Sequence, residues 1–327
     1  METKEIAITE LGVKIGQAED AAGGTGCTVL ICEEGMRAGL DVRGGGPASR
    51  DSELLKPLAA AQFVHAIVLG GGSAFGLGAA NGVMTYLEER DIGFDVGVTK
   101  VPLVVQSDLF DLTVGDLHAR PDYAMGYEAA KCAMESPNYR DGNYGVGCGA
   151  TVGKIAGMDY CMKSGIGSYA IEIGPLKIGA VVAVNALGDI FDWKTGHKVA
   201  GLLNEDKTGF RDTVELMKTT IEPIENKFTG NTTIGVVMTN ASMNKTQLCK
   251  IAGMTHNGYA RSIRPVHTSA DGDSIYAVSV GDVESDQDLI GTLAADVMSE
   301  AILRAVSGAK SAYGFVAAED LHSKRIK

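Results

Sequence analysis

The sequence predicts an α+β sandwich whose sheets are covered by helices. Short apolar runs cluster in pairs around turn residues, as hairpins do, and they are interleaved with long stretches of helical spacing. Regular strand-helix-strand alternation is not sustained, which puts a doubly wound parallel sheet second. No segment repeats another.

The elements follow in order. GCTVLICEEGMRAGLDVRGG predicts two strands joined through EEG, an early hairpin. HAIVLG is a short buried strand, and GLGAANGVMTYLEERDIG has helical spacing with Leu77, Val83, Met84 and Leu87 on one side. PDYAMGYEAAKCAMES opens with Pro at a helix start. SYAIEIG and LKIGAVVAVNALGDIF predict a second hairpin turned at Gly174 and Pro175. The charged segment from Asn204 to Gly230 suits an exposed connection. Beyond it come strand TTIGVVMTNA, helix NKTQLCKIAGMTHNGYARSIR, strand SIYAVSVG and the long helix DQDLIGTLAADVMSEAILRAVSGA.

With 327 residues, 45% hydrophobic and 21% charged, the chain can bury a large core. A net charge of -12 offers no basic stripe, so nucleic acid is not an expected partner. METKEIAITE lacks the pattern of a signal peptide, and LKIGAVVAVNALG is too short to span a bilayer, so no membrane partner and a cytoplasmic location are expected. Cys27, Cys32, Cys132, Cys148, Cys161 and Cys249 include no CxxC pair and read as reduced core thiols. The histidines at 65, 118, 197, 256, 267 and 322 are dispersed, and neither a metal nor a cofactor is expected.

The 43 glycines, about twice the usual share, concentrate in RGGGP, LGGGSAFG and GVGCGATVGK. LGGGSAFGLGAA follows a strand and opens a helix, but it fits neither GxGxxG nor GxSxG, leaving a structural turn or an anion-binding backbone around Gly71, Gly72 and Ser73. GCGATVGKI fails as a phosphate loop at both ends; Lys154 is then either an exposed lysine or a cation aimed into a site. Asp271 and Asp273 share a face if their segment is extended, whereas the intervening Gly favours a turn. Asn231-Thr232-Thr233 matches a glycosylation sequon, as do the triplets starting at Asn240 and Asn244. Thr232 also reads as a latent nucleophile that attacks the Asn231 carbonyl, shifts the peptide to an ester and is released as a new N-terminal residue.

GTGCTVLICEEG, LDVRGGGPASRDSELLKP, LGGGSAFGLGAANGVMTYLEERDIGF, GVGCGATVGK, AVNALGD and GNTTIGVVMTNA together resemble, in the same order, the self-processing aminopeptidase family. That family includes the L-aminopeptidase/D-amidase/esterases, the β-peptidyl aminopeptidases and the nylon-oligomer hydrolases, and the likeness covers nearly the whole chain. It implies a single four-layer αββα domain over residues 1–327, like the N-terminal-nucleophile hydrolases but with distinct connectivity. It implies cleavage between Asn231 and Thr232 into chains 1–231 and 232–327. By the same resemblance Thr232 is the nucleophile, Asn185 helps hold the oxyanion, Lys154 belongs to the site, and Asp271 and Asp273 hold the new α-ammonium. Gly71, Gly72, Ser73, Phe110 and Thr233 are carried as pocket candidates. Threonine in place of the serine of the β-peptidyl branch points toward the nylon-oligomer branch. Two positions depart from the pattern: Phe110 brings no hydroxyl where the β-peptidyl branch has a Tyr-bearing segment, and Asn240 stands where an Asp is expected.

The implied activity is hydrolysis of short peptides or linear ω-amino amides by a homo-oligomer of processed αβ heterodimers. The alternatives are an acyltransferase like the ornithine acetyltransferases and an inactive binding or scaffold protein.

Overall fold

The computed structural model describes residues 2–219 and 230–325, with side chains as far as 321. Its ten principal strands are β1 (Thr3–Ile6), β2 (Lys14–Asp20), β3 (Thr25–Val42), β4 (Ala48–Arg50), β5 (Val64–Gly70), β6 (Val104–Asp108), β7 (Ile166–Ile173), β8 (Leu176–Asn185), β9 (Thr232–Ala241) and β10 (Ser274–Val283). The helices are α1 (Ala79–Glu88), α2 (Tyr123–Glu135), α3 (Thr213–Lys218), α4 (Lys245–Ser262), α5 (Gln287–Ser307) and α6 (Ala318–Arg325).

The strands form two sheets that share β3. One runs β1-β7-β8-β9-β10-β3; in the other, β3 lies between β2 and β5, and β6 and β4 follow. Most pairings are antiparallel, but β9 runs parallel to β10 and β5 parallel to β6.

Side-chain alternation builds the layers. On β8, Ile178, Ala180, Val182 and Val184 join Leu248, Ile251 and Tyr259 of α4 and Ile290, Ala294 and Val297 of α5. The opposite face, Val181 and Ala183, joins Ile234 and Val236 of β9 in a core shared with Leu30, Ile67 and Val105 of the other sheet. Cys27, Val29 and Ile31 of β3 point the other way, against α1 and α2. Three apolar interlayers thus separate four layers, the αββα sandwich expected.

The early hairpin does not form. TGCTVLICEEGMRAGLDV is one 18-residue strand, and EEG is an irregularity in its pairing with β5 between Ile31 and Met36. Gly35 has φ +82°, a conformation that suits a bulge as well as a turn. The strand pairs β5 from Cys27 to Met36, across that irregularity, and β10 from Arg37 to Val42, and so carries the chain from one sheet to the other.

Other boundaries also move. β8 ends at Asn185, and the predicted continuation is a separate strand, Asp189–Phe191. The inward face of α1 is Ala79, Ala80, Val83, Tyr86 and Leu87; Leu77 lies in the preceding 3-10 turn and Met84 is only half-buried. Pro121 precedes the cap of α2, which is Asp122, whose carboxylate accepts from Met125 N at 2.9 Å. The expected connection from 204 to 230 contains α3, while 220–229 lie outside the described residues. β1, β2 and α6 carry no sequence prediction. Cys27, Cys148 and Cys161 are buried, whereas Cys32, Cys132 and Cys249 are half-buried and not core thiols. Asn240 and Asn244 have structural partners: Asn240 bonds Lys177 N and Pro175 O at the β7–β8 turn, and Asn244 caps α4. Among the described residues, no helix is long and apolar enough to cross a membrane.

Candidate active site

Three strand ends meet at one edge of the first sheet. Asn185, the last residue of β8, lies in register with Thr232, the first of β9. β10 starts at Ser274, opposite Ile234, so Asp271 and Asp273 sit just ahead of it on the same edge. This topology joins residues that the sequence separates by dozens of positions.

Thr232 is buried. Its hydroxyl donates to the carbonyl oxygen of Asn231, and its Oγ1 accepts from Gly272 N at 3.1 Å. A Cβ at position 272 would stand 2.7 Å from that oxygen, so the backbone donor approaches only because residue 272 is glycine.

Lys154 is 2% exposed, which corrects the surface-lysine reading. Its Nζ donates to Asn185 Oδ1 at 2.6 Å, Gly230 O at 2.7 Å and Asn185 O at 3.1 Å, so all three ammonium hydrogens have acceptors. Burial brings this ammonium down to about 7, opposed by the pull of Cys161, Asp271 and Asp111. Asn185 Oδ1 also accepts from Thr151 N at 3.0 Å, which fixes the amide orientation: Nδ2 points the other way, donating to Phe110 O at 2.9 Å and Gly230 O at 3.2 Å.

The acidic pair lies in a turn, so the shared-strand-face geometry does not apply to Asp271. Asp271 N donates to Thr268 O at 3.2 Å, while Thr268 N and Oγ1 donate to Asp271 Oδ2 at 2.9 and 2.5 Å. Burial, reinforced by the neighbouring Asp273 charge, raises Asp271 to about 6. Asp273 Oδ1 accepts from Thr233 N at 2.8 Å, and its Oδ2 accepts from His267 N at 3.0 Å and pairs with His267 Nδ1 at 2.8 Å. The RGGG loop wraps this turn from outside, with Arg43 N and Gly44 N on Asp273 O and Gly46 N on Asp271 O.

The pocket candidates divide. The Phe110 ring lies where a Cβ on Gly230 would be, 2.1 Å from its Cδ1, so Phe110 borders the segment entering Thr232. Thr233 is wholly buried, its N–H is taken by Asp273, and its hydroxyl has no partner among the described residues. Gly71, Gly72 and Ser73 connect to the site through the 109–111 segment: Ser73 N donates to Leu109 O and Gly72 N to Asp111 Oδ1. No hydrogen bond among the described ones joins them to Thr232. Asp111, which sequence reasoning missed, is nearly inaccessible, receives Thr25 Oγ1 at 2.7 Å as well, and is raised to about 6 by burial. His267, Gly272 and Thr151 were missed too; the only signal was that His267 and Gly272 flank or divide the acidic pair.

Four αββα layers with strand ends converging on a buried threonine define an N-terminal-nucleophile type of hydrolase fold. Among solved structures, the chain is similar to the L-aminopeptidase D-Ala-esterase/amidase of Ochrobactrum anthropi, described as a new variant of that fold (TM-score 0.70, 16% identity, 96% of this chain and 91% of that one). It is also similar to a Burkholderia sp. beta-aminopeptidase (TM-score 0.65, 18% identity, 95% and 90%). The chain belongs to peptidase family S58, whose model matches residues 7–319, and is a hydrolase of peptide or amide bonds. Its relatives include an uncharacterized aminopeptidase of Mycobacterium leprae, 36% identical over 94% of this chain and 92% of the relative. A 6-aminohexanoate-oligomer endohydrolase of Agromyces sp. strain KY5R is 31% identical over 90% and 84%.

Proposed function

We propose that Thr232 is the nucleophile twice: once against its own chain at Asn231, then against substrate amides. The observation that carries this is the Thr232 hydroxyl on the Asn231 carbonyl oxygen, inside a buried cluster of Asn185, Lys154, Asp271 and Asp273.

In the first reaction Oγ1 attacks the Asn231 carbonyl carbon and the C–N bond breaks, leaving an ester between Asn231 and Thr232 and a free α-amine on Thr232. Water then hydrolyses the ester to a carboxylate at Asn231 and restores the hydroxyl. The freed amine, with an ordinary pKa near 8, serves as general base for the hydroxyl in the second reaction. Asp271 and Asp273 provide the negative charge that holds it when protonated.

In the unbroken chain, Asn185 Nδ2 and Lys154 Nζ grip Gly230 O, one residue before the attacked carbonyl. Departure of that tail frees both donors. In the substrate complex they face the oxyanion of the tetrahedral intermediate, where preorganised donors act most strongly. The substrates this supports are short peptides with a free amino end or linear ω-amino amides.

Intact mass spectrometry of the wild type beside Thr232→Ala tests the proposal. The wild type is expected as two chains, 1–231 and 232–327, and the variant as one. Thr232→Ala should also lower amide hydrolysis at least about a thousandfold. A folded wild type that stays whole, or a variant that retains activity, overturns it. Release of amine from an aminoacyl anilide without acyl transfer to ornithine separates hydrolysis from acyltransfer.

A further inference from the structure

His267 takes no part in the mechanism above, yet its backbone and ring both grip Asp273. It is a non-glycine residue at φ +59°, a left-handed conformation that persists where the surroundings enforce it. That conformation places its backbone N–H and its Nδ1 on the same oxygen, Asp273 Oδ2, at 3.0 and 2.8 Å. The other oxygen of Asp273 receives Thr233 N, the backbone donor next to the nucleophile.

The ring's hydrogen-bonding also fixes its tautomer. Among the described residues Nε2 is buried without a partner, while Nδ1 faces a carboxylate oxygen, so Nδ1 carries a hydrogen. The ring packs edge-on to His256 at 4.7 Å between centroids and stacks with Tyr259 at 6.0 Å, both on α4. His256 turns its own Nε2 to Asp41 O at 3.1 Å, and its Nδ1 has no partner among the described residues. Arg43, at the end of β3, directs its guanidinium to Asp41 and Gly253 O.

We propose that His267 is a positioning residue for the reaction: donating from Nδ1, it clamps Asp273 so that the carboxylate's second oxygen holds Thr233 N–H. This sets the start of β9, and hence Thr232, against the Asp271–Asp273 turn. The inference rests on Thr232 being the nucleophile, and it assigns His267 no proton transfer and no contact with substrate.

The test compares His267→Asn, His267→Gln and His267→Ala in the otherwise wild-type chain. The Asn amide nitrogen can replace Nδ1; the Gln amide nitrogen falls nearer the position of Nε2. His267→Gln and His267→Ala are expected to slow self-cleavage and lower kcat of the processed enzyme about 10- to 100-fold with KM within about twofold, and His267→Asn to recover most of the loss. Should His267→Ala fail to fold, the Asn and Gln variants still decide. Asn performing no better than Gln, or losses appearing in KM alone, overturns the proposal. The 15N shifts of the His267 ring provide a second readout, expected to show hydrogen on Nδ1; hydrogen on Nε2 overturns it. If His267→Gln cleaves and turns over like the wild type, only the role of His267 falls. If the wild type neither cleaves nor hydrolyses, the nucleophile assignment falls and takes this one with it.

Discussion

Two lysines are buried beside the same Gly-rich loop. Lys163 is wholly inaccessible and donates to Gly147 O, Ala150 O and Ser164 O at 3.1, 3.0 and 2.5 Å; it holds the loop whose next residue, Thr151, orients Asn185. Burial lowers both Lys154 and Lys163 from 10.5 to about 7. The unfolded chain therefore binds more protons than the folded one between about pH 7 and 10.5, and stability rises with pH in that window, by up to about 1.4 kcal/mol per unit for each lysine. Chemical denaturation of the uncleaved Thr232→Ala chain at about pH 7.0 and 7.7, below the ordinary thiol pKa of about 8.5, should show the rise, and adding Lys163→Met should reduce it. An unchanged slope would show that Lys163 does not titrate there. Lys154 was legible because it follows a glycine run in a family-like motif. Lys163 was not, because nothing local in CMKSG announces that three backbone carbonyls converge on its amine.

At the scale of elements, the site depends on where strands stop. Asn185 and Thr232 face each other because β8 ends where β9 begins, and the turn before β10 brings Gly272 N onto Thr232 Oγ1. Gly272→Ala would put its methyl 2.7 Å from Oγ1 and 2.9 Å from Gly46 O, with backbone on one side. If the turn holds its place Thr232 Oγ1 has to move, and we expect both self-cleavage and kcat to fall at least about a hundredfold while far-UV circular dichroism is retained. A variant that cleaves at the wild-type rate would mean that the turn relaxes instead. The β9 strand was legible from composition, as were α4 and α5, whose apolar positions recur at helical spacing. The continuous β3 was not: Glu33-Glu34-Gly35 carries the same chemistry in a hairpin turn and in a bulge, and only the position of β10 beside Arg37–Val42 decides between them. Register likewise lies beyond local pattern, which is why the motifs supplied the members of the site but not Asn185 opposite Thr232.

For the whole molecule, cleavage after Asn231 would divide the layers without separating them. The second chain would contribute β9, β10, α4 and α5; β9 remains paired with β8 and β10 with β3, both from the first chain. Two of the three apolar interlayers likewise draw on both sides of the cut. The two products should therefore elute together in gel filtration and separate only in denaturant; elution apart under native conditions would contradict the shared sheet. The position of β9 has one more consequence. A terminus is usually the part of a protein that frays first, but this one would begin inside a sheet with a neighbouring strand on either side. Its birth would also change the order of the folding reaction. A cleaved enzyme, once denatured, would have to reassemble from two chains where the uncleaved one folds as a single molecule, so recovery of activity should depend on protein concentration for the wild type, while refolding of Thr232→Ala should not.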